Sequence, residues 1–215
     1  FQPQLLVGLT ATPERMDGKD LRPDFGNRIS AEIRLPQALQ AGLLTPFQYL
    51  CISDDTDLSD DSLWSGQKYN IERLADKLCA KTRARLIVDA LHKYLADEYT
   101  CRALCFCVNK RHADFMAEQL RLYGFNAQSL TSDTPADERK QLAKDLREGT
   151  LHYLCVVDIF NEGVDIPEVD TVLFLRPTES LTIFLQQLGR GLRLSAGKTE
   201  LTVLDFVAQA NRKYD

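Results

Sequence analysis

Long apolar runs are absent from this sequence of 215 residues. No stretch reaches about 18 consecutive apolar side chains, so a membrane-spanning helix is excluded and we expect no membrane partner. The first residues, Phe1-Gln2-Pro3, contain neither a methionine nor the charged segment and apolar core of a signal peptide. We expect the sequence to be an excised fragment of a longer protein.

A Cys-x-x-Cys pair is also absent, although the chain contains six cysteines. Such pairs are typical of zinc and redox sites, so we predict free structural thiols and no metal site. Cys105 and Cys107 alternate in an apolar segment and should point to one face of a strand, into the core. Free thiols favour a cytoplasmic location.

An excess of basic residues is missing as well, because the net charge is -5. The acidic residues cluster in segment 53–62, which contains five Asp and no base, and the rest of the chain is close to neutral. We interpret this segment as a solvated loop and assign it no function. Bulk charge does not support nucleic-acid binding, so evidence for such a partner must come from motifs.

What the sequence does contain is a regular alternation of apolar runs with segments of helical spacing. Continuous apolar strands between helices are typical of a parallel sheet that is covered on both faces, so we predict an α/β fold. The predicted strands are 4–9, 31–35, 47–52, 103–108, 127–130, 153–157, 171–175 and 201–206, and the predicted helices are 36–43, 71–95, 110–123, 134–149 and 179–188.

The loops that follow the strands are the first places to search for a site, because ligands of such sheets bind at the carboxyl ends of strands. After predicted strand 153–157, Gly163 would allow a close backbone approach. Asp165 could accept a hydrogen bond from a ribose hydroxyl or orient an arginine. A plain turn that Asp165 caps is the alternative.

A cationic cluster follows the last predicted helix. Gln186, Arg190 and Arg193 are spaced i, i+4, i+7 and share one face if that helix continues far enough. Two arginines beside Gly189 and Gly191 form a surface with little bulk, which suits a phosphate group. Surface arginines held in salt bridges are the alternative.

Gly197-Lys198-Thr199 imitates the end of a phosphate-binding P-loop. Leu192 stands where that motif requires its first glycine, and the segment leads into a strand rather than out of one. We therefore reject a P-loop here, and no other segment of the sequence matches one. The chain alone should not hold the phosphates of ATP and Mg²⁺ in the usual way.

Polar residues also follow two other predicted strands, namely Lys110 and Arg111 after one, and Thr131 and Ser132 after the next. Positive charge, hydroxyls and backbone amides near helix N-termini can position a phosphate backbone without reading base sequence. Solvated caps and surface charges are the alternative.

Five segments occur in the order of the motifs of one family. The chain resembles superfamily 2 helicases, nearer to the restriction-enzyme and repair-type branch than to DEAD-box proteins, over roughly residues 4–15 and 100–206. The matching segments are Leu9-Thr10-Ala11-Thr12-Pro13 for motif III, Ala103–Arg111 for motif IV, Leu130–Gly149 with its Glu138-Arg139 pair for the helix that follows, Val157–Pro167 for motif V and Gln186–Arg193 for motif VI.

The resemblance implies a motor of two RecA-like lobes with ATP and Mg²⁺ in the cleft, held mainly by the first lobe. Residues 1–15 would be the tail of that first lobe and 16–30 a linker. Residues 31–215 would be the second lobe, a RecA-like parallel sheet with helices on both faces. The rest of the first lobe would lie upstream in the same protein, and this fragment alone is expected to be inactive.

The resemblance also implies roles for individual residues. Arg193 would be the arginine finger that stabilises the γ-phosphate in the transition state, with Arg190 beside it and Gln186 near the phosphates. Gly163 and Asp165 would contact the nucleotide. The remaining candidates are Thr10 and Thr12, which would couple hydrolysis to lobe movement, and Lys110, Arg111, Thr131 and Ser132, which would bind the nucleic-acid backbone.

Two departures from DEAD-box proteins, Gln186 in place of His and Val157 in place of Thr, favour a DNA translocase over RNA remodelling. The resemblance thus predicts the C-terminal lobe of an ATP-dependent helicase or translocase that acts on DNA rather than RNA. The alternative is a degenerate RecA-like lobe that serves as a protein-binding or regulatory module. A dinucleotide-binding domain would need a Gly-x-Gly-x-x-Gly motif, which the sequence lacks.

Overall fold

The computed structural model describes residues 4, 6–8, 22–66, 68–157, 166–177 and 180–210. Thr10 and Thr12 of the motif III segment lie outside these residues, as do Gly163 and Asp165 of the motif V segment. Within the described residues, no helix is both long and apolar enough to cross a membrane.

Strands and helices alternate along most of the chain. The strands are β1 (Phe47–Leu58), β2 (Trp64–Ser65), β3 (Lys68–Tyr69), β4 (Ala103–Phe106), β5 (Ala127–Leu130), β6 (Tyr153–Val156), β7 (Thr171–Phe174) and β8 (Leu201–Ala210). The helices are α1 (Leu35–Gln40), α2 (Ile71–Leu78), α3 (Lys81–Tyr94), α4 (Lys110–Leu122), α5 (Ala136–Glu148) and α6 (Leu181–Gly191), with 3-10 turns at Arg22–Phe25 and Asp61–Leu63.

Six of these strands form one parallel sheet in the order β1-β8-β7-β4-β6-β5, while β2 and β3 form a separate antiparallel hairpin. Successive strand residues face opposite sides of the sheet. Ala103 and Cys105 face the core under α3 and α4, whereas Leu104 and Phe106 face the core under α5 and α6. The predicted α/β fold, a RecA-like parallel sheet covered on both faces, is confirmed.

The cysteines follow the same alternation. Cys105 and Cys107 are fully buried in the core under α3 and α4, as predicted. All six cysteines are free thiols. Burial raises the pKa of the Cys107 thiol well above its usual value, which keeps this sulfur protonated and unreactive.

Two helices have a terminus at a residue that is typical of helix caps. Asn109 begins α4, where its side-chain oxygen accepts a hydrogen bond from the backbone N–H of His112 at 3.0 Å. Gly149 ends α5 with a φ of 77°, a left-handed conformation that glycine adopts without strain.

Three predicted elements are wrong. Residues 4 and 6–8 do not form a strand, and neither do residues 31–34. The chain instead enters α1 at Leu35, with Pro36 in the first turn. Predicted helix 71–95 is two helices, because Cys79 and Ala80 leave the helical conformation and separate α2 from α3.

The acidic segment 53–62 is not a solvated loop throughout, because β1 continues to Leu58 by pairing with β8. Asp54 is buried, and its carboxylate accepts a hydrogen bond from Nε of Arg83 on α3 at 2.6 Å. Thr56 donates its backbone amide and its hydroxyl to the other carboxylate oxygen, at 2.9 and 2.5 Å. Burial alone would raise the pKa of Asp54, but the Arg83 charge and these hydrogen bonds outweigh it and lower the pKa.

A buried histidine in α4 is expected to make the stability of the fold depend on pH. His112 is fully buried, and its Nδ1 accepts a hydrogen bond from the backbone N–H of Val108 at 3.3 Å. Burial, assisted by the charges of nearby arginines, lowers its pKa to about 3. The unfolded chain takes up a proton below pH 6.5, whereas the folded chain does not, so acid favours unfolding.

We therefore expect the free energy of unfolding to decrease as pH falls from 6.5 towards 3, by at most about 1.4 kcal/mol per pH unit from this group. Urea unfolding at several pH values between 7.5 and 5 measures the slope. His112→Asn keeps a hydrogen-bond acceptor without a titrating ring and should give a flatter profile. Equal slopes in the two proteins would show that His112 does not cause the dependence.

Candidate functional site

The arginine cluster lies at the edge of the sheet where the strands begin, called here the amino edge. Helix α6 leaves the opposite edge after β7 and ends at Gly191. The carbonyl of Leu192 accepts a hydrogen bond from the backbone N–H of Thr45 at 2.8 Å. The Thr45 hydroxyl donates to the carbonyl of Arg193 at 2.9 Å. Since Thr45 lies just before β1, these contacts place Arg193 at the amino edge.

The sequence predicted that Gln186, Arg190 and Arg193 share one helical face if the helix continues to Arg193. The structure shows that it does not continue that far. The helix ends at Gly191, so Arg193 lies beyond the last turn, and hydrogen bonds to its backbone set its position. Gln186 and Arg193 are exposed, and Arg190 is half-buried. The cluster is therefore accessible to a group outside the domain.

The second set of candidates lies at the carboxyl edge, where the strands end. Lys110 follows β4, and Thr131 and Ser132 follow β5. The Lys110 ammonium contacts the carboxylate of Asp133 at 2.6 Å, which joins the two loops. Thr131 is buried, and its hydroxyl accepts from the backbone N–H of Asp133 at 3.3 Å. Ser132 is exposed beside it, so Lys110 and Ser132 are the accessible groups.

Arg111 is directed away from these loops and towards α2. Its Nη2 lies 2.6 Å from a carboxylate oxygen of Asp76 and 3.1 Å from the carbonyl oxygen of Glu72. The structure therefore brings Lys110 and Ser132 together but gives Arg111 a separate set of contacts. Lys110, Ser132 and Arg111 all lie away from the amino edge, where Arg193 is.

Comparison with known proteins identifies the family of the chain. Residues 60–195 match the family described as the helicase conserved C-terminal domain. The chain belongs to this family. The resemblance to superfamily 2 helicases that the motifs indicated is confirmed.

Individual relatives of this helicase C-terminal domain have low sequence identity to it. IRC3 of Saccharomyces cerevisiae, a candidate ATP-dependent helicase, is 27% identical over 207 residues, which are 96% of this chain and 30% of that protein. The endonuclease subunit of the type I restriction enzyme EcoKI from Escherichia coli is 28% identical over 171 residues, 73% of this chain and 14% of that subunit. The chain thus spans less than half the length of these relatives.

A solved structure shares the fold. A fragment of a candidate HsdR subunit of a type I restriction enzyme from Vibrio vulnificus aligns with a TM-score of 0.70 at 24% identity, over 92% of this chain and 38% of that one. At this identity the match shows the fold of the helicase C-terminal domain and no more.

Two residues contact the backbone of residues 191–193 in this helicase domain, and the sequence did not identify either of them as part of the site. Thr45 binds it from the loop before β1, and nothing in the local sequence marks this threonine. Lys198, which only imitates a P-loop, donates hydrogen bonds to the carbonyls of Gly191 and Arg193. Burial lowers the pKa of Lys198 to about 8, against the opposing effect of nearby carboxylates.

The packing of α6 requires a glycine at its last position. A methyl group on Gly191 would lie 2.7 Å from Cδ1 of Leu201 and 3.2 Å from Cγ2 of Val172, both fully buried. We expect Gly191→Ala to destabilise the domain by about 1–3 kcal/mol because the core must shift. Chemical unfolding measures this difference.

Gly189 provides a matched control in the same helix. A methyl group there meets nothing within 4 Å, so Gly189→Ala should be neutral or stabilising by up to about 1 kcal/mol, since alanine favours helix. If the two substitutions changed the free energy of unfolding equally, the close packing at Gly191 would not be the cause.

Proposed function

We propose that this domain is the second lobe of an ATP-driven DNA helicase or translocase, and that Arg193 and Arg190 act on ATP held with Mg²⁺ by a first lobe. The observation that carries the proposal is the position of Arg193 at the amino edge. A lobe that holds its own nucleotide does so at the carboxyl edge of its sheet, where the P-loop lies. An exposed arginine at the other edge is suited to a nucleotide that a neighbouring lobe holds.

The chemistry that these arginines supply is electrostatic. Phosphoryl transfer passes through a loose transition state with negative charge on the transferred group and on the leaving oxygen. A planar guanidinium can donate paired hydrogen bonds to those oxygens. Arg193 would stabilise the transferred phosphate, Arg190 would lie beside it, and Gln186 would contact the phosphates from α6. Gly163 and Asp165 would contact the nucleotide.

The carboxyl edge is the proposed nucleic-acid surface. Lys110 and Ser132 are exposed there and offer an ammonium group and a hydroxyl to a phosphate backbone, and Thr131 would support them through Asp133. A contact of Arg111 with nucleic acid stays a prediction, since its guanidinium bonds to α2. The similarity to a restriction-enzyme subunit favours DNA over RNA as the track. Roles for Thr10 and Thr12 in coupling, the domain division at residues 15 and 30, and a cytoplasmic location stay predictions.

If Lys110 contacts a phosphate, its removal should weaken binding to all sequences alike. We expect Lys110→Ala in the two-lobed protein to lower affinity for duplex DNA several-fold and to reduce the slope of log K against log salt concentration by about 0.9. Fluorescence anisotropy at several salt concentrations measures both. Lys93→Ala, at the far end of α3, is the matched control and should change neither. An unchanged slope for Lys110→Ala would remove this residue from the interface.

The proposed division of the site between two lobes can be tested by comparing the isolated chain with a protein that also carries the first lobe. The isolated chain should hydrolyse ATP no faster than buffer, whereas a protein that also carries the first lobe should hydrolyse ATP when DNA is present. Turnover by the isolated chain that Arg193→Ala abolishes would contradict the proposal, because the site would then be complete within one lobe.

A further inference from the structure

Lys198 occupies the turn between α6 and β8. Gly197 has a φ of 80° there, and the backbone N–H of Lys198 donates to the carbonyl of Ser195 at 3.2 Å, which fixes the turn. The Lys198 side chain is half-buried and turned into the protein. Its ammonium group is therefore used within the domain.

The ammonium group contacts three backbone carbonyls. Its Nζ lies 2.5 Å from the oxygen of Gly191, 3.1 Å from that of Arg193 and 3.1 Å from that of Pro167. A lysine ammonium has three N–H donors, so each donor can meet one carbonyl. A positive charge also stabilises the carbonyl end of a helix, which is what Gly191 forms in α6.

These carbonyls belong to the two segments that match nucleotide-facing motifs. Pro167 is the last residue of the motif V segment, whereas Gly191 and Arg193 belong to the motif VI segment. Lys198 therefore joins the two segments at one point. Thr45 holds the same backbone through the carbonyls of Leu192 and Arg193.

We propose that Lys198, assisted by Thr45, is a positioning residue that fixes the backbone of Arg193 against the end of the motif V segment. The inference rests on the proposed function, because it requires Arg193 to act on ATP. A guanidinium stabilises a transition state only when its hydrogen bonds reach the oxygens that gain charge. A displacement of about 1 Å at such a group can lower the rate about 100-fold.

Lys198→Met removes the three hydrogen bonds and keeps an unbranched apolar side chain. In the two-lobed protein with saturating DNA, we expect kcat for ATP hydrolysis to fall about 10- to 100-fold. The KM for ATP should stay within about threefold, because ATP is held by the first lobe. Lys144→Met, on the exposed face of α5, is the matched control and should leave kcat unchanged.

A double-mutant comparison separates positioning from a general effect on the fold. If Lys198 acts through Arg193, then Lys198→Met should lower kcat by no more than about twofold in the Arg193→Ala background. The same 10- to 100-fold loss in both backgrounds would overturn the proposal, and so would an unchanged kcat in the otherwise native protein. An effect on KM alone would overturn it as well.

Substitutions of Thr45 test the same contact if Lys198→Met does not fold, as judged by circular dichroism and thermal melting. Thr45→Val removes the hydroxyl that donates to Arg193 and should lower kcat several-fold, whereas Thr45→Ser keeps it and should restore kcat. Equal kcat in these two variants would contradict the proposal.

The results also distinguish the two proposals. If Arg193→Ala leaves kcat unchanged, the assignment of Arg193 as the arginine finger fails. If Arg193→Ala lowers kcat and the Lys198 and Thr45 variants do not, only the positioning role of Lys198 and Thr45 fails.

Discussion

Arg193→Ala should lower kcat for DNA-stimulated ATP hydrolysis about 1000-fold in the two-lobed protein and leave the KM for ATP within a few-fold. An arginine finger contributes about 10³–10⁵ to the rate of phosphoryl transfer, because it meets charge that develops only in the transition state. The domain contains no P-loop, so ATP should be held mainly by the first lobe. Loss of the Arg193 guanidinium should therefore hardly change the binding of ATP in the ground state. Steady-state kinetics with a nucleotide-binding assay separates the two effects.

Two further variants sharpen this prediction. Arg193→Lys keeps the charge but loses the planar, paired donors, so its kcat should lie between those of the native protein and the alanine variant. Arg85→Ala removes an exposed arginine of α3 that lies 4.0 Å from Asp89, and it should leave kcat unchanged. A raised KM with normal kcat for Arg193→Ala would mean that the arginine only binds the nucleotide.

The largest expected effect on stability concerns the buried ion pair between β1 and α3. The side chains of Asp54 and Arg83 are only 3% and 2% exposed, and they lie 2.6 Å apart. Asp54→Ala would leave the Arg83 guanidinium buried without its counter-charge, which costs about 3–5 kcal/mol. We expect the melting temperature to fall by about 10 °C, as differential scanning calorimetry would measure.

The same helix supplies the control for that prediction. Asp89→Ala removes the exposed partner of Arg85, and a surface pair of this kind contributes at most about 1 kcal/mol. Replacing both buried residues, as in Asp54→Leu with Arg83→Met, should cost less than Asp54→Ala alone because no charge is left unpaired. A double variant less stable than the single one would show that the pair itself stabilises the fold.

The sequence predicted the parts of the fold that depend on local pattern. Apolar runs identified the six strands of the sheet, and helical spacing identified the helices between them. The Asp54–Arg83 pair escaped prediction because its partners lie 29 positions apart, and pairing of β1 with β8 buries the carboxylate. An acidic run looks the same in sequence whether or not one of its aspartates forms a buried ion pair with an arginine.

The position of the candidate site could not be predicted from the sequence. Gln186, Arg190 and Arg193 stay a predicted site, and a search at the carboxyl ends of strands would have placed them at the opposite edge of the sheet from the one they occupy. The contacts of Thr45 with Leu192 and Arg193 show where the segment ends. Lys198 was recognised as a false P-loop, but its contacts with three carbonyls depend on tertiary structure that spacing does not reveal.

If the domain belongs to a motor, nucleic acid should control ATP hydrolysis. The ATP turnover rate of the two-lobed protein, measured without nucleic acid, with duplex DNA and with RNA, tests this. We expect DNA to raise the rate at least tenfold and RNA to raise it less. No turnover with any nucleic acid, despite a folded protein, would contradict the motor and leave a RecA-like lobe that serves as a binding module.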